Sequence, residues 1–405
     1  MSGLAIVFVA PRAWPAVGGM EAFLRHLGRD LAARHRVTVL AQGLDDGPRG
    51  RLADSLEPPP PFEPFTDGGV RVEPLRLSPA HRALLAPLGL QVVPGLRRYA
   101  YGRPRVAAAR LFAAVAAPRI AELAAGADVV HMWGGGLLGA AAARAAHDLL
   151  GVPCVTTPFA HEGRWGDDRA SAAAVRAADR VLALLETDAA LYRALGVEPA
   201  RIRVCGVCSP AAGGDGAALR RRHGIEGPLV AFLGVRRPYK GYDLLLEAAP
   251  LVAAARPEVT FAFLGPGPAL PAGVGARCVD AGEVGDAERG DWLAAADLLC
   301  LPSESEILPV SILEAWSTST AVVASDIPPL RELVADTGGG LVAAREPRAL
   351  ADALLGALAD PERLRALGER GRAVWRECYS VEAVASLHEA VYAEVVGPGE
   401  ARCAA

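Results

Sequence analysis

Two glutamates flank the start of a short predicted helix in the C-terminal half of the chain. Glu306 lies in the loop after the apolar strand DLLCLPS, and Glu314 falls in the second turn of a helix predicted to begin at Pro309. Proline suits the first helical position, because its φ is preset and it has no N–H to leave unpaired. The next three backbone amides then lie at the positive end of the helix without an internal partner, which favours an anion such as phosphate.

The order of these groups along the chain is carboxylate, anion site, carboxylate. A carboxylate accepts two hydrogen bonds at once, so it suits a vicinal pair of sugar hydroxyls. The pattern therefore fits a nucleotide sugar, in which a sugar, a diphosphate and a ribose follow in the same order. The alternative is that both glutamates are solvated and that the helix is an ordinary crossover in a parallel sheet, because acidic residues are common at helix starts.

Three cations follow the strand LVAFLGV. They are Arg236, Arg237 and Lys240, and at a strand–helix junction such a group suits a diphosphate. The alternative is a solvated charge cluster. The next strand ends in Gly-Pro-Gly, and we interpret this turn, which begins at Gly265, as a place where a ligand approaches the backbone.

The N-terminal half carries weaker signals of the same kind. Gly18 and Gly19 stand between the first buried strand and the first helix, where they either admit a ligand or form a simple tight turn. His161 follows the strand VPCVTTPFA, and His131 lies near the end of DVVHMW. Ligands bind at the carboxyl ends of strands in open α/β sheets, although a lone histidine is more often structural.

Two successive sets of strands and helices position these groups. Continuous apolar runs such as LAIVFVA indicate strands buried on both faces, and the alternation restarts after a linker at 209–228. We therefore predict an α/β chain with two Rossmann-like domains that face each other across a cleft. The expected segments are 1–208, 209–380 and a C-terminal helix in 381–405 that is a candidate to return to the N-terminal domain.

Composition excludes several classes of protein. The 405 residues are 52% hydrophobic and 22% charged, which is typical of a globular chain. With 42 Lys and Arg against 46 Asp and Glu there is no basic field, so nucleic acid is not an expected partner. The N-terminus reads as a strand rather than a signal peptide, and no uncharged apolar run reaches the roughly 18 residues of a membrane-spanning helix.

The seven cysteines do not indicate a metal or disulfide framework. Cys205 and Cys208 form a C-x-x-C, but no second pair or nearby histidine completes a metal site. We interpret the cysteines as small buried apolar residues of a cytoplasmic protein. The alanine- and arginine-rich composition indicates a GC-rich bacterial genome.

In combination, the motifs resemble those of the retaining glycosyltransferases of family 4, which have the GT-B fold. Two glutamates separated by seven residues are characteristic of that family, and the resemblance covers nearly the whole chain. The matching segments are P-A-V-G-G-M-E at 15–21, R-R-P-Y-K-G at 236–241, G-P-G at 265–267 and E-I-L-P-V-S-I-L-E at 306–314, followed by T-A-V-V-A-S-D.

The resemblance implies transfer of a sugar from a nucleotide-diphosphate sugar to an acceptor hydroxyl with retention. Attack would occur on the same face as departure, with the leaving phosphate helping to deprotonate the acceptor, so no protein nucleophile is expected. No metal or other cofactor is expected either, because protein cations and helix amides neutralise the diphosphate. The N-terminal domain would bind the acceptor and the C-terminal domain the donor.

The resemblance also implies individual roles. Glu306 would contact the transferred sugar, and Glu314 would bind the ribose 2′- and 3′-hydroxyls. Lys240, with Arg236 or Arg237, would neutralise the leaving diphosphate.

In the N-terminal domain, Gly19 would approach the same phosphates and His161 would face the reacting centre. The expected catalytic residues are therefore His161, Lys240 and Glu306. The expected donor-binding residues are Gly18, Gly19, Arg236, Arg237, Lys240, Gly265, Glu306, Leu308, Pro309, Val310 and Glu314.

Three segments depart from the family pattern. The usual arginine after the strand glycine is Val235 here, the usual Phe-Gly is Leu308-Pro309, and the usual Cys-Gly-Thr is Thr-Ser-Thr at 318–320. These departures keep open a non-catalytic homologue that binds nucleotide sugars and supports a partner enzyme. A nucleotide-sugar epimerase of similar shape is an enzymatic alternative, although no acid/base set around the sugar is visible.

Acceptor specificity is expected in the segment 43–125. It contains Arg97, Arg98, Tyr99 and Tyr101 in an apolar setting. These residues suit an acceptor-binding insertion, a weak membrane-contact face or plain helical packing, so at most peripheral membrane contact is expected.

Overall fold

The chain forms two compact units in a computed structural model. Unit 1 comprises Met1–Cys205 and Val384–Ala405, and unit 2 comprises Gly206–Ala383. Each unit has its own buried sheet with helices packed on it. The described residues are 3–16, 18–44, 62–76, 103–163 and 166–397.

Unit 1 is built on an eight-stranded sheet. Its strands are β1 Ala5–Arg12, β2 Arg36–Gly43, β3 Phe65–Asp67, β4 Val70–Pro74, β5 Val129–Trp133, β6 Cys154–Thr157, β7 Arg180–Ala183 and β8 Ile202–Val204. Their order is β3-β4-β2-β1-β5-β6-β7-β8, and every neighbouring pair is parallel except β3 with β4. The central strands are buried along their length, which explains their continuous apolar sequence.

Helices cover the sheet of unit 1. They are α1 Gly19–Ala32, α2 Arg103–Leu123, α3 Gly136–Arg144, α4 Arg169–Ala177 and α5 Glu186–Ala194, with a π-helical turn at Ala145–Leu150 and a 3₁₀ turn at Pro199–Arg201. On α1 the apolar residues Phe23, Leu24, Leu27 and Leu31 are all buried. Their spacing places them on one face of the helix, which packs on the sheet.

Unit 2 is built on a six-stranded parallel sheet. Its strands are β9 Leu229–Leu233, β10 Thr260–Leu264, β11 Arg277–Gly282, β12 Leu298–Leu301, β13 Ala321–Ser325 and β14 Gly340–Ala343. Their order, β11-β10-β9-β12-β13-β14, reverses direction between β9 and β12. That reversal is a topological switch point, where the loops at the carboxyl ends of the strands separate and leave a crevice for a ligand.

Helices also cover the sheet of unit 2. They are α6 Gly216–His223, α7 Tyr242–Ala255, α8 Asp286–Ala295, α9 Val310–Ser317, α10 Pro328–Leu330, α11 Pro347–Leu358 and α12 Pro361–Val374, with a 3₁₀ turn at Pro238–Lys240 and π-helical turns at Arg331–Ala335 and Trp375–Tyr379. The segment 209–228, predicted as a linker, contains α6 and lies inside unit 2. Its Asp215 caps α6 by accepting a hydrogen bond from the Ala218 amide at 2.8 Å, which explains a helix in glycine-rich sequence.

An aspartate just before a strand caps the neighbouring strand at three places. Asp128 precedes β5 and accepts the first amide of β1 at 2.7 Å. Asp179 does the same for β6, and Asp297 for β9, each at 2.8 Å. The backbone amide of each aspartate in turn donates to the carbonyl of the strand residue whose amide its side chain accepts. These paired contacts fix the starts of β1, β6 and β9 against their neighbouring strands.

The C-terminal helix, α13 Val381–Val396, belongs to unit 1 from Val384 onwards and packs there against a buried histidine. His131, predicted near a strand end, is the central residue of β5 and fully buried. Its Nδ1 lies 2.7 Å from the hydroxyl of Tyr392, and its Nε2 lies 2.9 Å from that of Thr157. The ring of His388 stacks on it at 5.8 Å. His131 is therefore a core residue rather than a site residue.

The cysteines of the described part are free thiols. Cys205 and Cys208 are both buried, and burial raises the pKa of Cys205 to about 12. This thiol therefore stays protonated at neutral pH and packs as a small apolar group, as interpreted from the sequence. No described helix is both long enough and apolar enough to cross a membrane.

Candidate active site

The loops that follow β9 and β12 meet at the switch point of unit 2. The Glu304 amide donates to the Tyr239 carbonyl at 2.7 Å, and the Ser303 hydroxyl lies 3.4 Å from the Lys240 carbonyl. Gly241 has a φ of 74°, and a Cβ there would lie 2.2 Å from the Pro302 carbonyl oxygen. Only glycine fits this close approach, so the chain holds the two loops together through its backbone.

Lys240 and Glu306 form an ion pair across these loops. The Lys240 Nζ lies 2.6 Å from the Glu306 Oε1, and the two side chains are only 20% and 6% exposed. Nζ also lies 5.4 Å from the centre of the Tyr239 ring. Two residues 66 positions apart are therefore adjacent, and their opposite charges compensate each other.

Helix α9 begins one residue later than predicted. Pro309 has an extended backbone, and its carbonyl accepts the first helical hydrogen bond from the Ile312 amide at 3.1 Å, so it is the N-cap. That bond takes one of the three amides expected to face an anion and leaves those of Val310 and Ser311 in the first turn. Leu308 is buried, so its side chain anchors the loop.

Glu314 lies in the second turn of α9 and contacts a cation from α8. Its Oε1 is 3.1 Å from the Nε of Arg289, which also contacts Asp286 at 2.9 Å. Burial raises the pKa of Glu314, the Arg289 guanidinium opposes that shift, and the charge of Asp286 adds to it. The carboxylate is thus held near the site by a partner that sequence reasoning missed.

The structure distinguishes the two arginines that follow β9. Arg236 is 5% exposed, and its Nη1 lies 2.5 Å from the Oδ1 of Asp280 in β11. Its amide donates to a carbonyl in the Gly265–Gly267 turn, and a Cβ on Gly267 would lie 2.4 Å from that of Arg236. Arg237 is exposed. Arg236 therefore links β11 to the loops that follow β9 and β10, and Asp280 compensates its charge.

The segment after α9 closes the helix through hydroxyl groups. Thr318 Oγ1 lies 2.8 Å from the Ala315 carbonyl and 2.9 Å from Thr320 Oγ1. Thr320 Oγ1 donates to the Leu293 carbonyl of α8 at 2.8 Å. Between them, Ser319 has a φ of 63°, the conformation that glycine adopts most easily. Thr320, where the chain agrees with the family pattern, fixes α8 against the segment after α9, and the departures at Thr318 and Ser319 stay within this turn.

Replacing Ser319 by glycine is expected to raise the free energy of unfolding by up to about 1 kcal/mol. A left-handed backbone costs a non-glycine residue about 1–2 kcal/mol. The extra freedom of glycine in the unfolded chain offsets about 0.5–1 kcal/mol of the gain. Urea unfolding measures the change, and Ser319→Ala, which keeps the strain, is the matched control. Equal destabilisation by both variants would contradict the prediction.

In unit 1 the predicted glycines lie at the start of α1. Gly18 is its N-cap and Gly19 its exposed first residue. The carboxylate of Glu21 reaches back, so that a Cβ on Gly18 would lie 2.2 Å from its Oε2. Glu21 is buried and pairs with Arg12 at the end of β1 at 2.8 Å. A side chain at position 18 would therefore displace the Glu21 carboxylate from its present position beside Arg12, a contact that the sequence pattern did not indicate.

His161 lies in the loop between β6 and α4 and is half-buried. The predicted acceptor residues Arg97, Arg98, Tyr99 and Tyr101 lie outside the described residues. Among the described residues, no group of three or more His, Cys, Asp or Glu side chains is placed to hold a metal ion.

Three functional candidates were missed from sequence: Arg12, Asp280 and Arg289. Arg12 lies at the carboxyl end of β1, where checking each polar residue that follows an apolar run would have found it. Asp280 lies within β11, two residues before the strand ends, and that strand is not a continuous apolar run. Arg289 lies within a helix among other charged residues, and nothing in its local pattern separates it from a solvated face.

Two family models match the chain in tandem. The glycosyl transferase 4-like domain matches residues 18–208, and the model named glycosyl transferases group 1 matches residues 227–360. Together they span most of the chain, and the predicted family resemblance is confirmed.

Curated relatives match over part of their length. The D-inositol 3-phosphate glycosyltransferase of Thermobispora bispora is 34% identical over 171 residues, which cover 37% of this chain and 40% of the relative. The phosphatidyl-myo-inositol mannosyltransferase of Mycobacterium tuberculosis is 34% identical over 187 residues, with 43% and 49% covered. The chain thus spans about half or less of the length of these relatives.

Solved structures match over the whole length. The Anabaena protein HepE in complex with UDP and glucose aligns with a TM-score of 0.68 at 17% identity, covering 96% of this chain and 99% of that one. Sucrose-phosphate synthase from Thermosynechococcus elongatus aligns with a TM-score of 0.70 at 18% identity, covering 96% and 98%. At such identity the likeness shows the fold alone, and the predicted GT-B fold is confirmed.

Proposed function

This chain belongs to the group 1 glycosyltransferases, and we propose that it transfers a glycosyl group from a nucleoside diphosphate sugar to an acceptor hydroxyl. The observation that carries the proposal is the meeting of Lys240, Glu306 and the start of α9 at the switch point of unit 2. A cation, a carboxylate and two helix amides at one crevice match the charge and hydroxyl pattern of such a donor. HepE, with the same fold, was solved with UDP and glucose, which supports the proposal.

Each group has a role set by its chemistry. The amides of Val310 and Ser311 bind an oxygen of the diphosphate, and Lys240 neutralises the charge that grows on it as the bond to the sugar breaks. On donor binding, Glu306 exchanges part of its contact with Lys240 for sugar hydroxyls. Because Asp280 already compensates Arg236, we assign the second diphosphate cation to Arg237.

The reaction proposed is retaining and metal-independent. The acceptor oxygen bonds to the anomeric carbon on the face from which the diphosphate departs, and the acceptor proton passes to a leaving phosphate oxygen. The roles that the family resemblance implies for His161, facing the reacting centre, and for Gly19, approaching the phosphates, are part of this proposal. It also includes a bacterial, cytoplasmic setting in polysaccharide or natural-product glycosylation.

Donor turnover without acceptor tests the function. We expect slow hydrolysis of one UDP-, GDP- or ADP-linked sugar, unchanged by EDTA, with the anomeric configuration of the first released sugar retained in NMR spectra. Release of the opposite anomer would contradict retention, and loss of activity with EDTA would contradict metal independence. A sugar that changes configuration while still attached would indicate an epimerase, and binding without any turnover a non-catalytic homologue.

Glu314→Ala is expected to weaken nucleoside diphosphate binding by about 10- to 100-fold. A charge-assisted hydrogen bond contributes about 1.5–3 kcal/mol, and the ribose hydroxyls lose theirs. Because burial raises the pKa of Glu314, the ionised carboxylate opposes folding at neutral pH, so the variant should be no less stable than the parent.

Isothermal titration measures this change in affinity. Glu288→Ala, which removes a half-exposed carboxylate of α8, is the matched control and should bind like the parent. Unchanged affinity in Glu314→Ala would remove Glu314 from the donor site.

A further inference from the structure

Arg289 is held on the face of α8 that is turned towards α9. Leu293, one turn further along α8, is fully buried, and its carbonyl accepts the hydrogen bond from Thr320 in the segment after α9. Residues four apart lie on the same side of a helix, so Arg289 is fixed over the neighbouring helix by the packing of Leu293.

Two carboxylates hold the guanidinium of Arg289. Its Nη2 lies 2.9 Å from Asp286, which is 85% exposed, and its Nε lies 3.1 Å from Glu314, which is 14% exposed. The contact with Asp286 is solvated and weak, whereas the contact with Glu314 is shielded from water. Asp286 thus fixes one edge of the guanidinium, and the other edge meets a single oxygen, Oε1, of Glu314.

Resting on the function proposed above, we propose that Arg289 is a positioning residue, which orients the Glu314 carboxylate for the ribose hydroxyls of the donor nucleotide. With Oε1 engaged by Nε, Oε2 is left to accept from the ribose. A carboxylate this buried would otherwise be drawn towards its neutral form, which accepts fewer hydrogen bonds. Arg289 keeps it ionised and prevents it from rotating, without contacting the nucleotide itself.

The test compares ribose with dideoxyribose in four proteins. These are the parent, Arg289→Met, Glu314→Gln and the double variant. The probes are whichever of UDP, GDP and ADP binds the parent best and its 2′,3′-dideoxy counterpart, titrated by calorimetry. We expect Arg289→Met to weaken the ribonucleotide about 10-fold and the dideoxynucleotide less than about 2-fold. In the Glu314→Gln background, Arg289→Met should change ribonucleotide affinity less than about 2-fold.

Arg289→Lys is the conservative variant and also covers a failure of Arg289→Met to fold. It keeps the charge, so we expect a loss of only about 2- to 3-fold for the ribonucleotide. Equal loss of both nucleotides, or a full loss that persists in the Glu314→Gln background, would overturn the positioning role. If the parent binds none of the nucleotides, the proposed function fails. If the parent binds and only Glu314→Gln loses the preference for ribose, this inference alone fails.

Discussion

Lys240→Ala is expected to lower kcat by about 10²- to 10³-fold, the usual cost of removing one group that stabilises developing charge. The diphosphate gains charge only as the bond to the sugar breaks, so the loss falls mainly on kcat rather than on KM. Steady-state assay with the preferred donor measures both constants. The effect is large because the Lys240 side chain is only 20% exposed, so that water screens its charge weakly.

A structural explanation of that loss must be excluded. Removing Lys240 leaves Glu306, 6% exposed, without its cation, and breaking a buried pair costs about 3–5 kcal/mol of stability. The variant Lys240→Ala with Glu306→Gln removes the unpaired charge, so it should recover stability and stay inactive. Lys240→Arg, which keeps a cation of different shape, should recover part of the activity. Parent-like rates in Lys240→Ala would take Lys240 out of the mechanism.

Acidification from pH 7 to pH 5 is expected to destabilise unit 1 through its buried histidines. Burial lowers the pKa of His388 to about 4, and burial together with the His388 charge lowers the pKa of His131 well below its usual value. Both stay neutral in the folded protein, whereas in the unfolded chain they take up protons below about pH 6.5. Their contribution to the free energy of unfolding is therefore complete above pH 6.5, and it is lost as the pH falls towards 4.

The expected loss at pH 5 is about 2 kcal/mol for His388 alone. Urea unfolding at both pH values measures it, and His388→Phe should reduce the difference by about that amount. His147→Gln is a control of opposite sign, because Asp179 raises the pKa of the half-exposed His147, so its removal should not reduce the loss. An unchanged pH dependence in His388→Phe would show that His388 does not titrate as its burial requires.

Much of the fold followed from local pattern, because buried parallel strands leave continuous apolar runs. LAIVFVA, LVAFLGV and DLLCLPS all became central strands, and the two glutamates and Lys240 stood out by spacing. Contacts that depend on strand order could not be read this way. The pairing of Lys240 with Glu306 exists because β9 lies beside β12, which no local window contains.

Two other predictions from the sequence were wrong, one about the start of a helix and one about a buried side chain. Helix α9 begins one residue later than predicted, because Pro309 has an extended backbone and is the N-cap rather than the first helical residue. His131 was placed near a strand end, but two long-range partners, Tyr392 and Thr157, make its burial possible. The first error comes from a local hydrogen bond at the helix start, and the second from two long-range hydrogen bonds that satisfy both ring nitrogens of a buried histidine.

The most direct test of the central claim is thermal unfolding with UDP, GDP, ADP and dTDP, each alone and as its common sugar forms. A ligand at 100 times its Kd adds about 2.7 kcal/mol to the stability of the protein. We expect one nucleotide to raise the Tm of the parent by several degrees. We expect a shift about half as large or smaller in Glu314→Ala, because its binding is weakened about 10- to 100-fold. No shift with any donor, or an equal shift in Glu314→Ala, would contradict a nucleotide-sugar site at the switch point of unit 2.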